Sequence, residues 1–386
     1  MSESIEVLAV GHICLDIIPA VSAELSFDPG RLVEAGPATL CTGGSVSNTG
    51  LSLHRLGVKT RLIGKLGTGI FGRAALEILE QHAPGSTATM SVSESESTSY
   101  TVVLSLRGSD RMFLHSPGAN KTFGSEDVSD EALAETKILH LGYPPLLARM
   151  YANEGEELVT LFRRAKEAGA TTSLDLSLPD ADAPSGAAPW DRILERVLPY
   201  TDFFLPSVEE LLFMLDRKLF ESLRGAIFGH LPEKLVGRLA TRSIELGAKV
   251  VGVKIGSRGF YLRMGSDLSG MGRAKPNWEP WTESRIWQPC FSVNVAGTTG
   301  AGDATIAGFL MGVLRGFSPI EATQAGVGVG ACCCEEPDAV SGVRCWDDTA
   351  FRILSGWDSL DVELSDDWHR ESTAYVRRPI PGSTVR

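Results

Sequence analysis

Residues 293–308 of this 386-residue chain read V-N-V-A-G-T-T-G-A-G-D-A-T-I-A-G, a run of residue types suited to holding an anion beside a single acid. Residues 290–295 are β-prone, and residues 304–314 carry Ile306, Phe309, Leu310 and Val313 at helical spacing. Thr298, Thr299 and Gly300 supply cap and loop chemistry, so the pattern predicts a strand, a glycine-rich turn and a helix. Gly300, Ala301, Gly302 and Asp303 fall in that helix's first turn. Free N–H groups there attract anions, and small residues let a phosphate approach the backbone. A carboxylate in the same turn would repel the phosphate, unless it takes the proton from an attacking hydroxyl beside a cradle for the developing charge. An acid at this place can equally do no more than complement the helix dipole.

The elements that must position this turn follow from the alternation of patterns. Residues 5–10 form an apolar strand running into G-H-I-C-L-D-I, with Asp16 just past a turn. Strand ends in a doubly wound sheet face the ligand crevice, so Asp16 either lines it or bonds its own loop. Residues 24–40, punctuated by Pro and Gly, read as a surface loop or lid segment. In C-T-G-G-S-V-S-N-T-G at 41–50, Gly43 and Gly44 permit close backbone approach and open a helix carrying Asn48. Residues 61–66 read as a strand and 70–81 as a helix, while 98–106 and 111–115 form a hairpin around R-G-S-D. Apolar runs at 137–141, 171–176 and 202–205 alternate with helical patterns at 156–168 and 190–198, which implies a mainly parallel, three-layered sheet. Asp175 stands at one strand end, where it lines the crevice or caps a turn. A strand at 249–255 leads into K-I-G-S-R-G, and the helix at 319–335 carries small Ala325, Gly328 and Ala331, able to pack against a flat base or a neighbouring helix.

Composition narrows the class. The hydrophobic fraction of 43% and mean hydropathy of +0.03 fit a globular protein with a substantial core. No apolar run approaches the roughly 20 residues of a membrane span. Residues 1–6 are polar and acidic, without the pattern of a secretory leader. A net charge of −12 with no basic block argues against nucleic acid. Ligand phosphates would then rely on Mg²⁺, helix termini and a few local cations. Cys332, Cys333 and Cys334 are consecutive, point apart on a helix and cannot share one metal, so they read as small buried residues. An odd count of seven cysteines suits a reducing cytoplasm.

T-T-G-A-G-D-A and the upstream G-G-S-V-S-N resemble the two signatures of the PfkB-type, ribokinase-like sugar kinases, in the family's order and covering about residues 5–345. The resemblance implies an α/β fold, a three-layer α/β/α sandwich with a mainly parallel central sheet and a small β-sheet lid. It implies lid strands within about 12–45 and 98–120, a kinase domain over 1–345, and a C-terminal extension over 346–386 with a poorly ordered end. ATP and Mg²⁺ would be the cofactors, and dimerisation through the lid strands is known among relatives. Asp303 would be the general base, and the Gly300, Ala301 and Gly302 amides the anion hole. Asp16, Gly43, Gly44 and Asn48 would bind the sugar, and Lys254, Gly256 and Gly259 the nucleotide. Glu210, in L-P-S-V-E-E, would hold Mg²⁺ through water, or serve with Ser207 as a plain helix cap. Arg111 is a candidate contact to substrate or phosphate, and the Gly-, Pro- and Trp-rich 264–288 loop would wall the nucleotide site.

Four positions depart from the family pattern. Gly297 replaces an Asp that helps hold a monovalent cation, Thr68 and Gly69 stand where one or two Asp are common, and Ser207 replaces an Asn. Sugar preference and potassium dependence are therefore open. The expected reaction moves the γ-phosphoryl of ATP to a sugar or sugar-like hydroxyl. A nucleoside acceptor in the same family, or a catalytically idle sugar-binding sensor, are the alternatives.

Overall fold

The structure, a computed structural model, describes residues 5–21, 29–30, 32–104, 112–223, 227 and 231–379. Arg111 and the R-G-S-D turn lie outside the described residues. In chain order the strands are β1 Val7–Gly11, β2 Cys14–Pro19, β3 Ala38–Gly43, β4 Thr60–Ile63, β5 Lys65–Gly67, β6 Ser91–Ser93, β7 Tyr100–Leu104 and β8 Met112–Ser116. They continue with β9 Ile138–Gly142, β10 Thr171–Leu174, β11 Phe203–Phe204, β12 Val250–Lys254, β13 Phe260–Met264, β14 Arg285–Gln288, β15 His369–Glu371 and β16 Ala374–Arg377.

Among the described residues the large sheet runs β15-β16-β14-β13-β12-β11-β10-β9-β1-β4. Its half from β12 to β4 is parallel, because helices cross between those strands, and its β12-to-β15 half is antiparallel. Strands of the parallel half are buried on both faces, as in the BBBBB pattern of Val7–Gly11 and Ile138–Gly142. One face packs on Leu161, Phe162, Ile193 and Val236, the other on Ile306, Phe309, Leu310 and Val329. The result is the three-layer sandwich expected from the alternation. A separate sheet, β3-β2-β7-β8, forms the small lid, with β7 and β8 as the expected antiparallel hairpin.

Three expectations need correction. Asp16 does follow the break after β1, but it lies within lid strand β2, paired with Cys41, rather than in a loop at the strand end. Residues 290–295 are not a strand: β14 ends at Gln288, Pro289 has no N–H to continue a ladder, and beyond it Phe291 makes an isolated bridge to Ser359. The 265–284 loop does not wall a nucleotide site. It leaves β13 at the register of Val250, where β12 begins, and packs across the N-terminal ends of the parallel strands. There Ala274 N–H donates to Thr171 Oγ1, Arg273 holds the Thr136 carbonyl, and Trp278 is buried edge-to-face against Phe203 and Phe309.

The helix Pro319–Cys333 lies on the helix Ala301–Leu314, with Gly308 facing Ala325 and Gly326 facing Phe309. The small residues thus serve helix packing, Gly328 being pressed by Ile353 of the helix Trp346–Leu354. Cys332 and Cys333 are buried, as read from the sequence, whereas Cys334, at the end of the helix, is only half-buried. The chain beyond residue 345 is woven into the same body, since β16 pairs with β14 and Trp368 packs edge-to-face on Trp287.

Candidate active site

Four parallel strands end at one rim, and each is followed or closed by a polar side chain. His12 follows β1, Tyr143 follows β9, Asp175 follows β10, and Lys254 closes β12. The helix Ala301–Leu314 starts over this rim, so the sequence places its first turn at the C-terminal ends of the strands. Gly300 makes the entry possible: its φ is +73°, and a Cβ there would run into Ala339.

Asp303, 2% exposed, accepts three hydrogen bonds: from Asn48 Nδ2 at 3.0 Å, Thr49 Oγ1 at 3.1 Å and the Tyr143 hydroxyl at 2.7 Å. A carboxylate offers about four lone-pair positions. Those three donors leave Oδ1 able to take one more, in a site walled by protein. Asn48 and Thr49 reach it because the helix Ser45–Arg55 begins at Gly44, whose φ of +89° turns the chain tightly above His12. Gly43 has a second use: a Cβ there would occupy the place of the Asp16 carboxylate. Gly43, which Asp16 packs against, thus lies five residues of chain before Asn48, one of the side chains that grip Asp303. Burial raises the Asp16 carboxyl above its ordinary value, against hydrogen bonds from Cys14 and Thr101.

On the other side of the turn, Lys254 Nζ lies 2.5 Å from Asp175 Oδ1. The Lys254 stem also borders Gly302, close enough that a Cβ there would sit 3.7 Å from Nζ. Burial works against the lysine charge, but Asp175 and Glu210 together raise it above its usual value. Burial pushes the Asp175 carboxyl up to about 8 despite the lysine, with Glu210 and Asp303 adding repulsion. Asp175 Oδ2 and Ser177 Oγ have no partner among the described residues. Glu210 forms a capping box with Ser207, its Oε2 accepting from the Ser207 N–H at 2.6 Å.

The site residues named from sequence thus divide. Asp303, Asn48, Gly300, Ala301, Gly302 and Lys254 come together at the rim, and Gly43 and Gly44 position them. Gly259, φ +99°, is fixed by the Gln288 carbonyl that a Cβ would strike, a packing demand of the β13–β14 ladder, while Gly256 is an exposed turn residue. A Cβ built on Gly297 would meet the Pro337 backbone at 3.0 Å, a tight contact that a larger residue would relieve by a small shift of the 336–337 backbone. Sequence reading missed Tyr143, Thr49 and His12. Tyr143, φ +63°, follows a strand end in G-Y-P-P, and both its position and its two following prolines were signals of a constrained rim residue.

The model of the pfkB family carbohydrate kinases matches residues 4–344. The chain belongs to that family. The kinase is 27% identical to an uncharacterized sugar kinase of Archaeoglobus fulgidus over 293 residues, 76% of this chain and 98% of that one. It is 24% identical to fructokinase-1 of Zea mays, over 82% of this chain and 85% of the relative. Among solved structures, an ATP-bound fructokinase of Xylella fastidiosa superposes with a TM-score of 0.68 at 19% identity, covering 91% of this chain and 98% of its own. The ribokinase of Arabidopsis thaliana, complexed with ribose and ATP, gives 0.68 at 21% identity, over 90% and 98%. These likenesses show the ribokinase fold. Among the described residues no helix of the kinase is long and apolar enough to cross a membrane.

Proposed function

We propose that the kinase transfers the γ-phosphoryl of ATP to a hydroxyl of a sugar or sugar-like substrate, with Asp303 as the base. The observation that carries this reading is the buried Asp303, held by three donors with acceptor capacity to spare, in the first turn of a helix. An alcohol bonded to Oδ1 would give up its proton there as it attacks, and geometry rather than covalent chemistry supplies the rate. The Gly300 and Gly302 amides at the helix start, with Lys254 beside Gly302, support a cradle for the phosphoryl oxygens, and the Ala301 N–H would join it by giving up its 3.3 Å bond to the Thr298 carbonyl. Asp16, set against Gly43 and facing inward from the lid sheet, would accept sugar hydroxyls.

Mg²⁺ fits the residues present. Asp175 offers a buried oxygen without a partner, and the Glu210 capping box leaves its Oε1 for a water ligand. When bound, the ion would neutralise charge on the nucleotide phosphates. Glycine at position 297 supports a kinase lacking the family's Asp contact to a monovalent cation. The lid and its hairpin would exclude water, which otherwise competes with the sugar as acceptor.

The test is an ATP-consumption screen over ketohexoses, aldopentoses, sugar acids and nucleosides. Turnover with a sugar or sugar acid is expected; nucleosides as sole acceptors would change the substrate class, and a blank across the panel would contradict kinase activity.

A further inference from the structure

A second polar cavity lies away from the catalytic rim. Its volume is about 300 Å³, and the helix Glu233–Glu245, strands β13, β14 and β16, and Trp368 enclose it. Across three antiparallel strands, Arg263 pairs with Arg285 and Arg285 with Arg377, so three guanidiniums stand side by side. They share the face of Tyr261 and Trp287, which belong to the core opposite the helix Ala301–Leu314. Arg263 sits at the register of Val251, three residues down β12 from Lys254. This is not the phosphate cradle.

Like charges directly opposite on neighbouring strands repel, and a sheet keeps them only where something offsets the charge. Internal acids do so only in part. Arg377 lies 3.0 Å from the exposed Asp367 and 3.9 Å from Glu233, and Glu233 already accepts the Ser365 N–H at 3.0 Å. Arg263 and Arg285 have no ion pair among the described residues, and Arg263 Nε and Nη1 are buried without acceptors. The hydroxyl of Tyr261, a residue 1% exposed, and the Trp368 indole N–H line the cavity. Neither makes a hydrogen bond of normal length and angle among the described residues, although Arg263 and Glu233 stand near them. Lys234 and Arg238 also line the cavity from exposed positions, Arg238 standing 3.7 Å from Asp216. Donors outnumber acceptors throughout, in a chain whose net charge is −12.

We propose that this cavity binds a small phosphate ester, the phosphate seated between Arg285 and Arg377 and the organic part against Trp368. Guanidinium forks match phosphate oxygens in pairs, and the volume exceeds what a bare ion fills. Two of the site's side chains, Trp368 and Arg377, come from the chain beyond the family match, so the site is an addition to the shared kinase body.

Inorganic pyrophosphate is the probe, titrated into the full-length kinase with the catalytic crevice saturated by a non-hydrolysable ATP analogue and Mg²⁺, and followed by calorimetry and tryptophan fluorescence. One pyrophosphate per chain is expected, binding more weakly as salt rises. Arg285→Gln should weaken it at least about tenfold, as loss of a charge-assisted pair does. Lys234→Gln with Arg238→Gln, both at exposed positions, should weaken it without disturbing the fold. Glucose 6-phosphate and inorganic phosphate, titrated in parallel, should show the ester binding at least as tightly as the bare ion. No binding with the crevice blocked, or binding untouched by both sets of substitutions, would overturn the proposal.

Discussion

At the residue scale, the site turns on how one carboxylate is held. Asn48 and Thr49 come from one helix and Tyr143 from a strand end on another part of the chain, so Asp303 is fixed from two directions. A side chain acting as base must present an oxygen within hydrogen-bond reach of the alcohol, and loss of one brace lets it rotate away. Tyr143→Phe is therefore expected to lower kcat about tenfold, the scale of one hydrogen bond to a charged group, while the sugar KM changes little. Steady-state kinetics on the turned-over sugar checks this, and a rise in KM at constant kcat would move Tyr143 to substrate binding. Asp303 and Asn48 were named in advance because both sit in the two segments that resemble the family signatures; the turn alone left Asp303 open between a base and a partner of the helix dipole. Tyr143 was not: a tyrosine after a strand is ordinarily packing, and only folding brings it across 160 positions to Asp303.

At the element scale, the parallel strands carry more polar burden than a core usually tolerates. His140, in β9, is fully buried, with Nδ1 3.0 Å from Ser173 Oγ and Nε2 without a partner. Burial, and then the charge of Lys254, lowers its pKa to about 3. The unfolded chain binds that proton near pH 6.5, so His140 costs nothing above that pH. As pH falls from 6.5 toward 3, only the unfolded chain takes the proton, and stability is lost at up to about 1.4 kcal/mol per unit. His140→Gln should make the decline between pH 7 and pH 5 shallower by up to about 2 kcal/mol, read from urea unfolding at the two pH values. Parallel curves for parent and variant would show that His140 is solvated or already charged. The alternation of strand and helix gave the sheet away in advance, since period and length were enough. The 264–288 loop misled because adjacency in sequence to the catalytic turn says nothing about which end of a strand a connection leaves from.

At the scale of the whole molecule, the lid leaves apolar surface uncovered. Phe113 is 58% and Leu114 53% exposed on the outer strand β8, and Leu40 50% on β3 at the opposite edge. A four-stranded sheet with apolar residues on open strands tends to find a partner. We propose a homodimer closed through these sheets, each lid covering the other. Sedimentation of the parent should give a dimer, and Phe113→Glu with Leu114→Glu a monomer; a parent that sediments as a monomer at micromolar concentration would contradict it. The C-terminal segment was read only as an extension, because a single short strand such as Ala374–Arg377 carries no long-range signal of its pairing with β14.

The account's central claim is that Asp303 removes the proton from the attacking alcohol. The direct test is single-turnover phosphoryl transfer by Asp303→Asn, an isosteric change that keeps the neighbouring donors in place. Transfer slowed by at least about 10²-fold, the scale of general base catalysis, with sugar affinity nearly unchanged, is the predicted result. Transfer within a few-fold of the parent would contradict it.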